Sequence, residues 1–278
     1  MEVRELEKKA AQIRLESLMA VHKAGFGFSG SMMSVVEILV SLYYGEFMGR
    51  PLMNFSSAVP GHPGQDYVVL SKGHAAAVQY TILADLGFFD KNELNFLSRV
   101  NSLLPSRPSG KVPGVPCTIA SHGQGLSMAL GIAMALKMDR EPNKVYAILG
   151  DGELQEGQVW EAAMAAGHHK LENLVVFIDN NRVQAETNIA AVMNVDPIQD
   201  KFESFGWSVM RVGDGHDFDK ILNSFSRIFT VSRKPICVIC NTVAGKGIYF
   251  AEGKPGYQRA FLSEDEMREI IPKLKELV

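Results

Sequence analysis

Short apolar runs alternate with stretches of helical periodicity along this chain, and this alternation restricts its fold more than any other feature. The apolar runs predict β-strands near residues 68–70, 144–149, 174–178, 207–212 and 236–242. The stretches of helical periodicity predict helices at 2–24, 33–42, 74–86, 124–138, 159–168 and 218–231. Strands separated by helices are typical of a mostly parallel sheet with helices on both faces. We therefore predict an α/β fold, with a single domain over residues 1–278.

Charge and composition exclude several classes of protein. The 28 Lys and Arg residues are scattered along the chain and face 31 Asp and Glu residues, which gives a formal net charge of −3. This balance lacks the basic surface that binding to nucleic acid or to an anionic membrane requires. No apolar run approaches the roughly 18 residues of a membrane span, and the charged N-terminus does not resemble a signal peptide. Three cysteines are too few for a disulfide framework, so we predict a cytoplasmic protein.

Two short patterns look like binding motifs but do not fit their sequence context. Cys237 and Cys240 form a C-x-x-C pattern inside a predicted buried strand, where residues three apart point to opposite faces. Gly25, Gly27 and Gly30 match G-x-G-x-x-G, but a dinucleotide-binding turn follows a strand, and the residues before Gly25 are predicted to be helical. We therefore predict neither a redox or zinc pair nor nicotinamide binding.

Polar residues follow two of the predicted strands, at the point where each strand ends. The strand at 144–149 is followed by Gly150, Asp151 and Gly152, and the strand at 174–178 is followed by Asn180 and Asn181. The carboxyl ends of parallel strands meet at one edge of a sheet, where carboxylate and amide oxygens suit a magnesium ion that holds a diphosphate. Either segment alone is equally typical of a glycine turn or an Asn cap. Together they predict a metal and diphosphate site.

The same segments carry a resemblance to a known family. The Asp-Gly followed by Asn-Asn resembles the thiamine diphosphate motif, and several other segments resemble the transketolase family in register. These segments are Ser71-Lys72-Gly73-His74-Ala75, Gly123-Gln124-Gly125-Leu126-Ser127, Trp160-Glu161-Ala162 and Lys170-Leu171-Glu172-Asn173-Leu174. The resemblance runs from about residue 10 to residue 260. It covers only the amino-terminal, diphosphate-binding domain of that family.

The resemblance implies roles for individual residues. Asp151, Asn181 and the carbonyl of Val183 would hold magnesium, or calcium or manganese in its place. Gly152 and His74 would contact the diphosphate; the alternative for His74, which we favour less, is an ordinary histidine at a helix start. The full set of cofactor-binding residues implied in this way is His74, Lys72, Ser121, His122, Gly150, Asp151, Gly152, Glu153, Asn181 and Val183.

The resemblance also implies a partner. In the transketolase family, the carboxylate that activates the aminopyrimidine comes from a pyrimidine-binding domain of another subunit. The sequence ends at Val278, before that domain and a third domain could begin. We therefore expect the amino-terminal subunit of a split transketolase, paired with a subunit that carries the catalytic Glu, in an α2β2 assembly. An apolar surface around residues 128–138 and 162–166 would take part in this association.

Two acids match family positions between the paired cofactor sites. The resemblance gives Glu156 and Glu161 a catalytic role there, in coupling protons across the interface. The alternative is that both are simply acids near a helix N-terminus, where the helix dipole favours negative charge.

The substrate end departs from the family pattern. Histidines that hold the sugar donor are replaced by Phe28, Arg107 and Gln258, and His122 stands in the loop that reads Gly-x-Leu-Gly-Gln-Gly in the family. We take His122 and Gln258 as further catalytic candidates, and Phe28, Arg107 and Gln258 as substrate contacts. Each change alone is compatible with a core phenylalanine, a solvated loop charge or a loop histidine. Together they predict that ordinary ketose phosphates are poor donors.

The sequence is compatible with three functions. The first is a thiamine diphosphate-dependent transketolase-like transferase that moves a two-carbon unit to an aldehyde, with altered donor specificity. The second is part of an enzyme that decarboxylates a 2-oxo acid and forms an acyloin, as 1-deoxyxylulose-phosphate synthase does, with Arg107 or His122 facing the carboxylate. The third is an interaction subunit that binds the cofactor without catalysis.

Overall fold

The computed structural model of the protein describes residues 1–59 and 61–278. In chain order its strands are β1 (Glu46–Phe47), β2 (Arg50–Pro51), β3 (Tyr67–Leu70), β4 (Val145–Gly150), β5 (Leu174–Asn180), β6 (Val183–Gln184), β7 (Thr187–Asn188), β8 (Ser208–Val212) and β9 (Ile236–Asn241). Its helices are α1 (Val3–Ala24), α2 (Ser29–Met33), α3 (Val36–Tyr44), α4 (Ala76–Asp85), α5 (Gln124–Met138), α6 (Gly157–His168), α7 (Ile189–Val192), α8 (Ile198–Ser204), α9 (Phe218–Ile228) and α10 (Glu264–Lys275).

A five-stranded sheet in the order β3-β4-β5-β9-β8 forms the centre of the fold, and all of its neighbouring strands are parallel. The α/β class is therefore confirmed, and all five predicted strands are present. The helix predicted at 33–42 is wrong in its start, because the structure has two helices, α2 and α3, separated by a break at 34–35. The sequence analysis missed α7, α8, α10 and the two short hairpins β1–β2 and β6–β7.

Alternate residues of the sheet face two separate apolar layers. In β4, Tyr146 and Ile148 pack with α1, α3, α4, α9 and α10, whereas Ala147 and Leu149 pack with α5, α6 and α8. This alternation follows from the twofold periodicity of a strand and explains why the sheet is buried on both faces. In the same way Cys240 belongs to the first layer and Cys237 to the second, and both thiols are free and buried.

The register of β4 and β5 positions the candidate site. Gly150 pairs with Asp179, so the two strands end side by side and their following loops leave the same edge of the sheet. On one side of this edge, α5 packs closely against the loop after β3. A Cβ atom added at Gly125 would lie 2.3 Å from the Cβ of Ser71, so only glycine allows this approach. Within the described part of the chain, no helix is long and apolar enough to cross a membrane.

Candidate functional site

A cavity of about 310 Å³ lies at the carboxyl ends of β3, β4 and β5. It brings together every site residue predicted from the sequence except Ser121 and Glu161, which do not line it. Five further residues line the cavity that the sequence analysis had not singled out. They are Ser31, Gln155, Gln184, Ala185 and Arg259.

Asp151 sits in the turn that follows β4 and is almost fully buried, with 2% of its surface exposed. Its carboxylate accepts hydrogen bonds from the backbone N–H groups of Gly152, at 2.8 Å, and of Arg182, at 2.7 Å. Burial and the negative charge of Asp179 nevertheless raise the pKa of Asp151 to about 7. An ionised Asp151 is therefore unfavourable in the protein alone, and a bound cation is the partner that would favour it.

The loop that follows β5 presents an amide and a carbonyl oxygen next to Asp151. The side-chain oxygen of Asn181 accepts a hydrogen bond from the backbone N–H of Val183, at 3.0 Å, which holds this loop in a tight turn. The carbonyl oxygen of Val183 accepts one from the side-chain N–H of Gln258, at 3.1 Å. A carbonyl oxygen has two lone pairs, so this bond leaves the Val183 oxygen with capacity for a second contact.

Asp179 is the centre of a buried network under the cavity that the sequence analysis did not identify. Its fully buried carboxylate forms an ion pair with Lys72 and accepts hydrogen bonds from the hydroxyl groups of Ser34, at 2.6 Å, and of Thr242. Ser34 in turn accepts a hydrogen bond from the amide of Asn181, at 3.1 Å. The network therefore joins four segments of the chain, one of which carries a residue predicted to hold the metal.

Glu153 braces the turn after β4 from its other side. Its carboxylate accepts hydrogen bonds from the backbone N–H of Gly150, at 2.9 Å, the backbone N–H of Gly123, at 2.8 Å, and the hydroxyl of Ser71, at 2.6 Å. Glu153 lines the cavity, but these three bonds give its carboxylate a clear structural role: it holds the loops after β3 and β4 and the start of α5 together.

Three aromatic side chains form one wall of the cavity. The ring of His74 lies 5.5 Å from the ring of Phe28 and 5.5 Å from the ring of His122, measured between centroids. The Nε2 atom of His74 is hydrogen-bonded to the hydroxyl of Ser31. Burial and the positive charges of Lys72 and other nearby cationic groups lower the pKa of His74 well below its usual value, so the imidazole is neutral near pH 7.

The long segment between residues 97 and 123 has no helix or strand and supplies both Arg107 and His122 to the cavity. Its position is fixed by the hydroxyl of Tyr80, which donates a hydrogen bond to the carbonyl oxygen of Arg107 at 2.7 Å. This agrees with the length and proline content of the segment, which are typical of a functional loop.

The remaining predicted residues lie at or beyond the mouth of the cavity. Glu156 is exposed and lines the cavity, whereas Glu161 is exposed on α6 and Ser121 is exposed in the loop before α5.

The G-x-G-x-x-G pattern has a structural explanation. Gly25 ends α1 with a φ of 75°, and a Cβ atom on Gly30 would lie 2.7 Å from the carbonyl oxygen of Tyr257.

A pair of glutamines joins the two polar turns directly. Gln155 and Gln184 exchange reciprocal amide hydrogen bonds of 2.7 and 2.8 Å, and Gln155 also donates one to the carbonyl oxygen of Met193, at 2.9 Å. Neither glutamine carries a sequence signal for this contact, because the two residues are far apart in the chain and belong to no pattern. Asp179 did carry a weak signal, as an acid that ends an apolar strand.

The donor atoms at the sheet edge fit a hard divalent cation. In residues 1–59 and 61–278, no three His, Cys, Asp or Glu side chains gather as a metal cluster of their own. An ion here would therefore use one carboxylate together with amide, carbonyl, phosphate or water oxygens, which is the donor set that magnesium accepts. Gln258 supports a bound ligand independently, because its side-chain oxygen is buried and has no hydrogen-bond partner among the described residues.

Comparisons with known proteins agree with this geometry. Residues 6–275 match the family described as transketolase, thiamine diphosphate binding domain. A 6-deoxy-6-sulfo-D-fructose transketolase subunit from Clostridium sp. (strain MSTE9) is 37% identical over 272 residues, covering 98% of this chain and 96% of the relative. One of the subunits of an apulose-4-phosphate transketolase from Phocaeicola vulgatus is 33% identical over 281 residues, covering 100% of this chain and 98% of the relative.

A solved structure shows the same fold. The transketolase from Campylobacter jejuni superposes with a TM-score of 0.90 and 28% identity, covering 99% of this chain. This chain corresponds to 43% of that transketolase, so it matches less than half of the larger protein.

Proposed function

The chain belongs to the transketolase family, as its thiamine diphosphate-binding domain, and on that basis we propose that it is the amino-terminal subunit of a split transketolase-like transferase dependent on thiamine diphosphate and magnesium. The observation that carries this proposal is the convergence of Asp151, Asn181 and Val183 on one cavity at the carboxyl ends of β4 and β5.

Each end of the metal-bound diphosphate has suitable partners in this chain. Asp151, the Asn181 amide oxygen and the Val183 carbonyl would hold the magnesium ion, and the backbone N–H of Gly152 and the neutral imidazole of His74 would contact the diphosphate. Thiamine diphosphate, when bound, supplies the carbon nucleophile that accepts a two-carbon unit from a donor and releases it to an aldehyde. Lys72 would act on the cofactor mainly from beneath the cavity, because its ammonium group is paired there with Asp179.

The donor would differ from that of ordinary transketolases. Phe28 offers no hydrogen bond to a sugar hydroxyl, Arg107 donates but cannot accept, and Gln258 can do both but does not titrate near neutral pH. Each unpaired polar group in such a site typically costs about 1–3 kcal/mol, so we expect ordinary ketose phosphates to be poor donors. The two relatives described above act, by their names, on a sulfonated and a phosphorylated sugar, which supports ketol transfer from an unusual anionic donor.

We rank two other functions below this proposal. The second candidate is a 2-oxo acid donor whose carboxylate faces Arg107 or His122, and release of carbon dioxide would favour it. A cofactor-binding subunit without catalysis would use the same cavity, and cofactor binding without turnover in the assembly with a pyrimidine-binding subunit would favour it.

We expect the partner subunit to contribute the pyrimidine-binding domain and its catalytic Glu, in an α2β2 assembly in the cytoplasm. The two relatives are named as subunits, and an apolar surface supports association: Met128, Met138 and Met164 are 43%, 80% and 56% exposed. The alanines at 162, 163 and 166 do not belong to this surface, because they are packed in the second apolar layer. Glu156 and Glu161 would face this interface.

The direct test combines cofactor binding with activity. Asp151→Ala removes one oxygen ligand, and we expect calorimetry on the protein assembled with its partner subunit to show loss of magnesium-dependent thiamine diphosphate binding. Asp200→Ala, at an exposed aspartate on α8, should leave binding unchanged. Activity is then measured after co-expression with a pyrimidine-binding subunit, using ketose phosphates and 2-oxo acids in parallel. Retained binding in Asp151→Ala would contradict the site, and substantial turnover by the chain alone would contradict the split enzyme.

A further inference from the structure

Two arginines at the cavity have no anionic partner. Arg107 and Arg259 both line it, and within residues 1–59 and 61–278 neither guanidinium group forms an ion pair or a side-chain hydrogen bond. Other basic groups near the site are neutralised, since Lys72 is paired with Asp179 and Arg182 with Asp196. The two free guanidinium groups therefore provide positive charge that the described part of the protein does not balance.

Arg107 lies on the same side of the cavity as His74, and Arg259 lines the same cavity. A Cβ atom added at Gly73 would lie 3.3 Å from a terminal nitrogen of Arg107, so this guanidinium group packs against the turn that carries His74. Arg259 reaches the cavity from the segment after the short 3-10 turn Pro255–Tyr257. The carboxylates of Asp151 and Glu153, in contrast, belong to the turn after β4.

A second observation points to a ligand at the same place. Gln258, next to Arg259, is only 8% exposed, lines the cavity and leaves its side-chain oxygen without a hydrogen-bond partner among the described residues. A buried amide oxygen without a donor is costly unless a ligand supplies one. A molecule with both a hydroxyl group and an oxyanion would satisfy the Gln258 oxygen and the two arginines together.

We propose that Arg107 and Arg259 form an oxyanion subsite that binds the anionic group of the substrate, a phosphate, sulfonate or carboxylate. The inference rests on the proposed function and adds to it a substrate contact located on this subunit. Guanidinium groups suit such an anion because each can present two parallel N–H donors in a plane. The cofactor's diphosphate is the competing occupant, but the metal ligands, the Gly152 N–H and His74 already provide for it.

The subsite is tested by nuclear magnetic resonance on the full chain, labelled with nitrogen-15 at arginine, assembled with an unlabelled pyrimidine-binding subunit and saturated with magnesium and thiamine diphosphate. The probes are inorganic phosphate, methanesulfonate and acetate, added at constant ionic strength. We expect saturable shifts of two arginine side-chain N–H signals, assigned by their loss in Arg107→Gln and Arg259→Gln. Each substitution should raise the dissociation constant of the preferred probe by roughly tenfold to a hundredfold. Arg211→Gln, an exposed arginine on β8, should have no effect.

The outcomes separate the subsite from the cofactor site. Calorimetric affinity for thiamine diphosphate should change by less than about twofold in Arg107→Gln and Arg259→Gln. Equal weakening of cofactor and probe would assign the arginines to the diphosphate and overturn the inference, as would the absence of any saturable shift. Failure of the assembly with a pyrimidine-binding subunit to bind thiamine diphosphate would contradict the proposed function instead, and the same titration without cofactor would still decide the subsite. Preference for phosphate or methanesulfonate indicates a sugar donor, and preference for acetate indicates a 2-oxo acid.

Discussion

The ion pair between Asp179 and Lys72 allows a sharp test of how the site is held together. The substitution Asp179→Asn keeps the shape of the side chain but removes its charge. Lys72, which is 1% exposed, would then keep a buried positive charge without an anion beside it. The new amide group also presents N–H donors where the carboxylate accepted hydrogen bonds from Ser34 and Thr242.

The expected loss is large because the pair is fully buried. Removing one partner of a buried ion pair typically costs about 3–5 kcal/mol. Native proteins are stable by only about 5–15 kcal/mol, so Asp179→Asn should remove a large share of the total. Removing Lys72 as well should restore part of it, because no unpaired positive charge is then left in the interior.

Urea and thermal unfolding of the full chain measure these changes. We expect Asp179→Asn to be the least stable variant and the double variant Asp179→Asn with Lys72→Met to be more stable than it. Asp265→Asn, which breaks an exposed pair with Arg268, should unfold like the unmodified protein. Lys72→Met is also measured alone. If the losses of Asp179→Asn and Lys72→Met simply add in the double variant, the pair does not act as a buried ion pair and the reasoning is wrong.

Three further predictions follow from single contacts. Gly125→Ala should lower the free energy of unfolding by about 1–3 kcal/mol or more, as measured by urea unfolding. Gly131→Ala on the same helix, where nothing lies within 4 Å of an added Cβ atom, should be neutral or stabilising by up to about 1 kcal/mol. Gln155→Leu, Gln184→Leu and the double variant should weaken calorimetric cofactor binding to a similar extent, and fully additive losses would contradict a direct coupling of the two turns. Burial raises the pKa of Glu37, but the pairs with Arg14 and His216 outweigh burial and lower this pKa to about 2. The stabilisation that ionised Glu37 provides is therefore present above pH 4.5 and is lost as pH falls through about 2. Acid unfolding of Glu37→Gln should lack this pH dependence of stability.

The fold was predictable because its strands are continuous apolar runs with clear ends. A sheet buried on both faces needs such runs, and β4 and β5 contain no charged residue before their last two positions. α10 was missed although it begins with a local signal, a Ser263 hydroxyl that accepts a hydrogen bond from the N–H of Glu266. The signal was present, but the helix lies after the last predicted strand and has a proline at 272, which disfavours a helix interior.

The meeting of Asp151, Asn181 and Val183 at one sheet edge was predictable for a related reason. Its residues directly follow strands, so the sheet itself decides where they meet. Gln155 and Gln184 act instead through a contact between segments far apart in the chain. Their roles depend on which side chains meet across the cavity, and a single sequence contains no pattern that records such contacts.

The raised pKa of Asp151 explains why the turn around it is braced so heavily. An acid whose folded-state pKa lies above its unfolded value lowers stability as it ionises, here between about pH 4 and pH 7. The backbone N–H groups of Gly152 and Arg182 offset part of this cost but do not remove it, since Asp179 adds a second negative charge nearby. The Lys72 ammonium group compensates Asp179 first, which leaves Asp151 as the carboxylate with the most to gain from a cation. The buried network therefore does more than hold the loops in place. It neutralises Asp179, so that Asp151, the carboxylate that lines the cavity, is the one left without a cation.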